Sequence, residues 1–323
     1  MFMYRFLPFA LLLALPLFSR SPELLQTPPP VTPAYVCPGD SGQIAYTTSE
    51  LSLLDVVTGR VDTLVSGPDG IFYVDGASWS PDGTHLAFAT DYSGSWGIYA
   101  VDVDQSGKVE ADLYPLFDDP DLDELNVVWS PDGQHLVFNA GENIYIGDVD
   151  SGTTIDLGTN LYSYNWLPDG SALIYVKPTD TETNQSMLYR ADPVTGEAAE
   201  IVGFEGTPTL MSISVNGIVL LINYDEANIA HIMAVDLATG EINDLGLTEV
   251  IWGGWWSPDG QQILFITEGD DNNLVVTDSD GANPVILTED LVGSIAGSAV
   301  WSPDGSRISF TAYGDNYEQS SVV

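Results

Sequence analysis

From residue 43 onward, apolar and polar positions alternate in short runs rather than at helical spacing. Examples are Leu86-Ala87-Phe88, Leu136-Val137-Phe138, Ile263-Leu264-Phe265 and Ile308-Ser309-Phe310. Runs of this length and period predict β-strands. Each run follows the same five residues: Trp79-Ser80-Pro81-Asp82-Gly83 recurs at Trp129, Trp256 and Trp301, with a close variant from Trp166 to Gly170. Ile213-Ser214-Val215-Asn216-Gly217 fills the remaining interval, and a worn copy from Cys37 to Gly42 precedes Gln43-Ile44-Ala45-Tyr46. Copies after the first are spaced by 37 to 50 residues, a period that marks a repeat architecture.

The repeated motif has the chemistry of a hairpin turn. Ser80 suits the first position of a type I turn, Pro81 presets φ at the second, and Asp82 is tolerated at the third. Gly83 then takes the left-handed conformation that closes the loop with a bulge. A third strand follows, as in Ile98 to Asp102 and Ile144 to Asp148. It ends in turns such as Ser151-Gly152, Thr195-Gly196 and Thr239-Gly240, and a fourth short strand completes the unit. Four strands in about 45 residues predict an all-β fold of propeller blades.

These Trp-Ser-Pro-Asp-Gly copies resemble the PD40, or WD40-like, repeats of TolB-type β-propellers, and related blades occur in the propeller domain of prolyl oligopeptidase-type enzymes. The resemblance covers residues 34–323. It includes neither the α/β domain that precedes the TolB propeller nor a peptidase domain. It implies four-stranded blades, seven by the count of copies with six as the alternative. Because little chain follows Trp301, the ring is expected to close by pairing of N- and C-terminal strands, the arm around Pro33 to Val36 supplying an outer strand. The motif is a turn rather than a site, so the resemblance speaks to fold more than to function.

Ahead of the repeats, residues 1–21 read as a signal peptide or N-terminal anchor. Arg5 leads an apolar stretch, Phe6 to Phe18, that is shorter than a membrane span requires. Residues 22–33 form a Pro-rich linker, and residues 34–323 form a single propeller domain. The expected location is therefore extracytoplasmic: periplasmic, secreted or membrane-anchored. Cys37 is the only cysteine, which excludes an intrachain disulfide and any multi-cysteine metal site.

Charge narrows the partners. The 323-residue chain has 47 Asp plus Glu against 7 Lys plus Arg, a formal net charge of −40. Nucleic acid and anionic membrane surfaces need a cationic face, and both are excluded as partners. With 44% hydrophobic and 11% aromatic residues the chain is too apolar for a disordered acidic tail. Many acids fall in predicted turns (Asp82, Asp132, Asp169, Asp259, Asp304) or end third strands (Asp148, Asp192, Asp236, Asp278), where they serve structure.

The loops opposite the Pro-Asp-Gly turns are longer and more varied, and candidate binding residues lie there. Asp91, Tyr92 and Trp96 occupy one such loop. Phe117, Asp118 and Asp119 open another, and Trp252 starts an inner strand near the same face. These aromatics could form a rim for a protein or peptide ligand, or for a glycan. Asp118, Asp119, Asp121, Asp123 and Glu124 place five carboxylates within seven positions. They form either a solvated acidic loop or a calcium site, calcium being the one cofactor the sequence suggests. His85, His135 and His231 do not share a catalytic spacing, and no Gly-x-Ser-x-Gly elbow or His-Glu-x-x-His helix occurs. The sequence therefore favours an exported, non-catalytic, monomeric binding propeller. A carbohydrate- or calcium-dependent adhesion module and a carboxylate enzyme acting on polysaccharide or peptide are the alternatives.

Overall fold

The computed structural model describes residues 34–36, 43–47, 51–55, 60–65, 74–103, 113–159, 161, 163–180, 182, 184–225, 229–247, 250–267, 272–288, 294–313 and 320–322. The predicted leader, the Pro-rich linker and Cys37 lie outside them. All regular elements among the described residues are strands, and no helix there is long and apolar enough to cross a membrane. The chain divides into two compact bodies, Met1–Leu157 and Gly158–Val323.

The first body carries three antiparallel sheets, each with its strands in sequence order. Sheet 1 contains β1 (Ala34–Val36), β2 (Gln43–Thr47), β3 (Leu51–Asp55) and β4 (Val61–Val65). Sheet 2 contains β5 (Val74–Trp79), β6 (His85–Thr90), β7 (Gly97–Asp102) and β8 (Tyr114–Phe117). Sheet 3 contains β9 (Glu124–Trp129), β10 (His135–Ala140), β11 (Asn143–Asp148) and β12 (Thr154–Thr159).

The second body continues the pattern. Sheet 4 has β13 (Ser163–Trp166), β14 (Leu173–Asp180), β15 (Gln185–Ala191) and β16 (Ala198–Glu205). Sheet 5 has β17 (Thr209–Ile213), β18 (Ile218–Tyr224), β19 (Ala230–Asp236) and β20 (Ile242–Asp244). Sheet 6 has β21 (Val250–Trp256), β22 (Gln262–Thr267), β23 (Asn273–Asp278) and β24 (Val285–Ile286). Sheet 7 has three described strands, β25 (Ser294–Trp301), β26 (Ile308–Tyr313) and β27 (Ser320–Val322).

One expectation is corrected by the pairing. The arm at Ala34–Val36 does not supply an outer strand to the last sheet. It pairs with β2, Tyr35 opposite Ala45, as the first strand of sheet 1. The two strands are adjacent in sequence, separated by residues 37–42. An ordinary hairpin therefore competes better for this segment than a pairing across the whole sequence would.

Within each body neighbouring sheets pack face to face, so a middle strand between two of them is covered on both sides. Along β6, Leu86 and Phe88 join Leu51, Leu53 and Trp79 in one cluster, while Ala87 and Ala89 join Val127, Trp129 and Phe138 in the next. That alternation places successive side chains in different cores, which is why the strand reads as a nearly continuous apolar run. Trp79, Trp129, Trp256 and Trp301 each pack in a cluster shared with the preceding sheet. The repeated tryptophan is a packing residue at these four positions.

The turn chemistry matches the sequence reading and adds to it. Gly83 sits at φ 71°, and its N–H donates to Ser80 O at 2.9 Å. The Ser80 hydroxyl donates to Asp82 Oδ1 at 2.6 Å and accepts from the His85 N–H at 2.9 Å, while Asp82 Oδ1 also accepts from the Thr84 N–H. The same hydroxyl–carboxylate pairing recurs at Ser130–Asp132, Ser257–Asp259 and Ser302–Asp304. These hydrogen bonds to the charged form hold the Asp82 and Asp259 carboxyls below their usual range, the serine hydroxyl being the largest cause. Asp304, held likewise by Ser302 and Ser306, is lowered to about 2.

A second repeat lies in the first strand of several sheets. Gly76, Asn126 and Gly253 each stand three residues before the repeated tryptophan. All three have positive φ (52°, 57° and 72°), and each marks a break in strand register. These are β-bulges, and a left-handed residue is what such a bulge requires.

Candidate functional site

At the end of sheets 2 and 3 away from the Pro-Asp-Gly turns, three connections meet: 91–96, 118–123 and 141–142. Hydrogen bonds knit them together. The Gly94 N–H donates to Asp91 O, the Glu124 N–H to Trp96 O (3.1 Å) and the Gly141 N–H to Asp123 O (3.1 Å). Within the longest connection, the Leu122 N–H donates to Asp119 O, and Asp119 Oδ1 accepts from the Asp121 N–H at 3.0 Å.

Asp118 is the best-organised carboxylate of this end. Its Oδ2 accepts from the Tyr99 hydroxyl at 2.6 Å and its Oδ1 from the Ser93 hydroxyl at 3.0 Å. Gly97 makes room for it, since a Cβ there would lie 2.8 Å from Asp118 Oδ1. Burial and the Asp118 carboxylate raise the Tyr99 hydroxyl above its ordinary value, so it stays a donor. The Tyr92 ring meets Tyr99 edge-on, centroids 5.7 Å apart, and remains 51% exposed.

Glu124 differs from the other acids of its run. It begins β9 with 3% exposure, and its Oε1 accepts from the Asp119 N–H at 3.0 Å. Its Oε2 is buried without a hydrogen-bond partner. Burial, reinforced by the Asp118 and Asp119 carboxylates, pushes its pKa up to about 7.

The predicted site residues separate into three groups. Asp91, Tyr92, Asp118 and Asp119 come together at this end. Phe117 does not belong to a rim: it is 7% exposed, stacks on Phe138 at 4.8 Å, and fills the space left by the absent side chain of Gly147. Its place in β8, opposite Ile98, turns the ring inward to the core between sheets 2 and 3. Trp96 is partly buried against that same cluster. Trp252 lies in β21 opposite Ile266, in the other body.

The five candidate calcium ligands are not drawn onto one point. Among the described residues no group of three or more His, Cys, Asp or Glu is placed to hold a metal ion. Asp118 and Asp119 spend oxygens on Ser93, Tyr99 and Asp121, and Glu124 turns inward.

Ser93 and Tyr99 were not singled out from sequence. Tyr99 reads as an ordinary strand residue, and only the β7–β8 register, Tyr99 opposite Pro115 beside the 118 turn, brings it to Asp118. His85 and His135 lie beside the Pro-Asp-Gly turns, at the opposite end of sheets 2 and 3, and His231 belongs to the other body. His85 Nδ1 is 2.8 Å from Asp102 Oδ1, and His135 lies near Asp132 and Asp148. His231 sits between Asp244 and Asp225.

No protein-family model matches the chain, and no curated protein sequence matches it. Solved structures do. TolB from Acinetobacter baumannii aligns with TM-score 0.50 and 22% identity, over 77% of this chain and 64% of that one. The chain thus spans less than two thirds of the TolB chain. An oligogalacturonate lyase in complex with manganese aligns at 0.58 and 18% identity, covering 83% and 78% of the two chains. The β-propeller domain of Cps50 (Swd1) from Myceliophteria thermophila aligns at 0.57 and 15%, covering 87% and 92%. The fold is an all-β propeller of about seven blades. At these identities the likeness concerns the propeller fold alone, since a lyase and a Cps50 domain share it.

Proposed function

We propose that this propeller is an exported, non-catalytic, monomeric binding module that takes a protein or peptide partner at the loop end of sheets 2 and 3. The observation that carries the reading is the organised exposure there. Tyr92 stands half-exposed over Tyr99, beside a 118–123 connection fixed by its own hydrogen bonds. A preset loop surface with an aromatic anchor suits recognition, because little ordering entropy remains to be lost on binding. Export rests on the leader-like residues 1–21.

The enzyme alternative draws less support. Asp118 and Asp119 are engaged as hydrogen-bond acceptors, and His85 and His135 lie beside the Pro-Asp-Gly turns at the opposite end of their sheets. A polyanionic substrate would meet a net charge of −40. The lectin-like alternative leaned on Trp96, whose packing against the core leaves it a poor sugar platform.

Affinity capture from an envelope fraction tests the proposal. The wild-type protein should retain a partner, and a Tyr92→Ala, Asp119→Asn, Asp121→Asn, Asp123→Asn variant should lose it. Turnover on a polysaccharide or peptide panel, with no partner retained, would replace binding by catalysis.

A further inference from the structure

The 118–124 ridge carries negative charge that no cation among the described residues answers. Asp119, Asp121 and Asp123 are exposed. Among the described residues no Lys, Arg or His forms an ion pair with them, with Asp118 or with Glu124; Arg60 is spent on Asp62, and the histidine pairs involve other acids. Behind the ridge lies Glu124, 3% exposed, its carboxyl turned toward the 118–119 turn through the Asp119 N–H, with Oε2 lacking any donor. Buried polar atoms are normally satisfied, so this one marks a place where a polar partner is missing. On the neighbouring connection Tyr92 presents a half-exposed ring, and aromatic faces attract ammonium and guanidinium groups.

We infer that this ridge is a docking surface for a basic peptide segment, whose Lys or Arg side chains pair with Asp119, Asp121 and Asp123 while one of them lies against Tyr92. The assignment rests on the binding-module reading above and specifies the chemistry of its partner. Complementarity favours this occupant over a second copy of the chain, which would bring another −40 to the same surface. Charge pairing here is exposed, so it sets association rate and selectivity and weakens with salt.

The probe is acetylated tetralysine amide, with tetraarginine amide beside it, titrated calorimetrically into the full chain at about 0.02 M and about 0.2 M salt. One peptide should bind per chain, more weakly at the higher salt. The triple variant Asp119→Asn, Asp121→Asn, Asp123→Asn should lose at least about tenfold in affinity, and Tyr92→Ala about threefold. Asparagine keeps the Oδ1 acceptor that caps the Asp121 N–H, and equal melting temperatures confirm that the variants remain folded. A control triple in the other body, Glu197→Gln, Glu205→Gln, Glu241→Gln, removes the same charge and should leave binding unchanged.

Equal weakening by the control triple would overturn the assignment, since the peptide would then be sensing bulk charge. Displacement of the peptide by stoichiometric calcium chloride would overturn it in favour of a divalent cation, and absence of binding would overturn it outright. Partner capture that survives the ridge substitutions also overturns it, while leaving the binding-module reading in place. Failure of the wild-type protein to capture any partner, with tetralysine binding intact, overturns that reading instead.

Discussion

Glu124 is the residue at which burial and charge are most at odds. Its proton is retained to about pH 7 in the folded chain, whereas an unfolded glutamate loses it near 4.5. The folded state therefore binds more protons between these values, and stability falls as pH rises through that window, then levels off. Glu124→Gln keeps an Oε1 for the Asp119 N–H and places an amide where Oε2 now lacks a donor. The variant should match wild type at pH 4 and exceed it by about 1 to 3 kcal/mol at pH 8. Denaturant midpoints at the two pH values check this, and parallel curves would show that the carboxyl is not responsible. His231 has the opposite chemistry and the same trend. Asp244, then Asp225, raise its pKa, so its contribution is full below 6.5 and disappears as pH climbs through the raised value. His231→Gln should flatten the stability curve on the alkaline side, as read by melting temperature from pH 5 to 8.

At the scale of the element, the hairpin was legible and the bulge was not. Ser, Pro, Asp and Gly each have a separate reason to occupy their turn positions, so four of the five motif residues specify local geometry without tertiary help. The bulge depends on one left-handed residue three places before the tryptophan, and Gly76, Asn126 and Gly253 share no side-chain chemistry that a pattern could reveal. Phe117 was misplaced for a related reason: an aromatic beside an acidic run reads as a rim, and only Gly147 on the facing strand shows that a ring is expected inside. The bulges make opposed predictions. Gly253→Ala adds a Cβ that collides with the Trp255 ring at φ 72°, so it should cost more than about 2 kcal/mol. Asn126→Gly relieves a non-glycine residue at φ 57° and should fall within about 1 kcal/mol of wild type. Urea unfolding of the two variants measures both, and comparable losses would mean that the bulge conformation is not what the glycine protects.

For the molecule as a whole, the acids fall into populations that respond oppositely to pH. The turn acids Asp82, Asp148, Asp169, Asp236, Asp259 and Asp304 all have lowered pKa values, with hydrogen bonds to serine hydroxyls or backbone N–H groups as the leading cause. Their contribution is present above the unfolded value near 3.8 and is lost as pH falls through the lowered values, toward about 2 for Asp304. Unpaired exposed acids do the reverse, because 47 carboxyl groups against 7 cations repel one another in the compact state once ionised. Glu124 and His231 add to the loss at higher pH. The balance places maximum stability on the acid side of neutrality, toward the acid end of the range usual for folded proteins. Repulsion between exposed charges is screened by salt, whereas turn hydrogen bonds within about 3 Å are much less affected. Added sodium chloride should therefore raise the melting temperature more at pH 8 than at pH 4.5, where fewer carboxyls are ionised. Calorimetric scans over pH 3 to 8 at about 0.02 M and about 0.5 M salt read both effects. A maximum at neutral pH, or a salt effect equal at both pH values, would mean that net charge does not govern the stability of this chain.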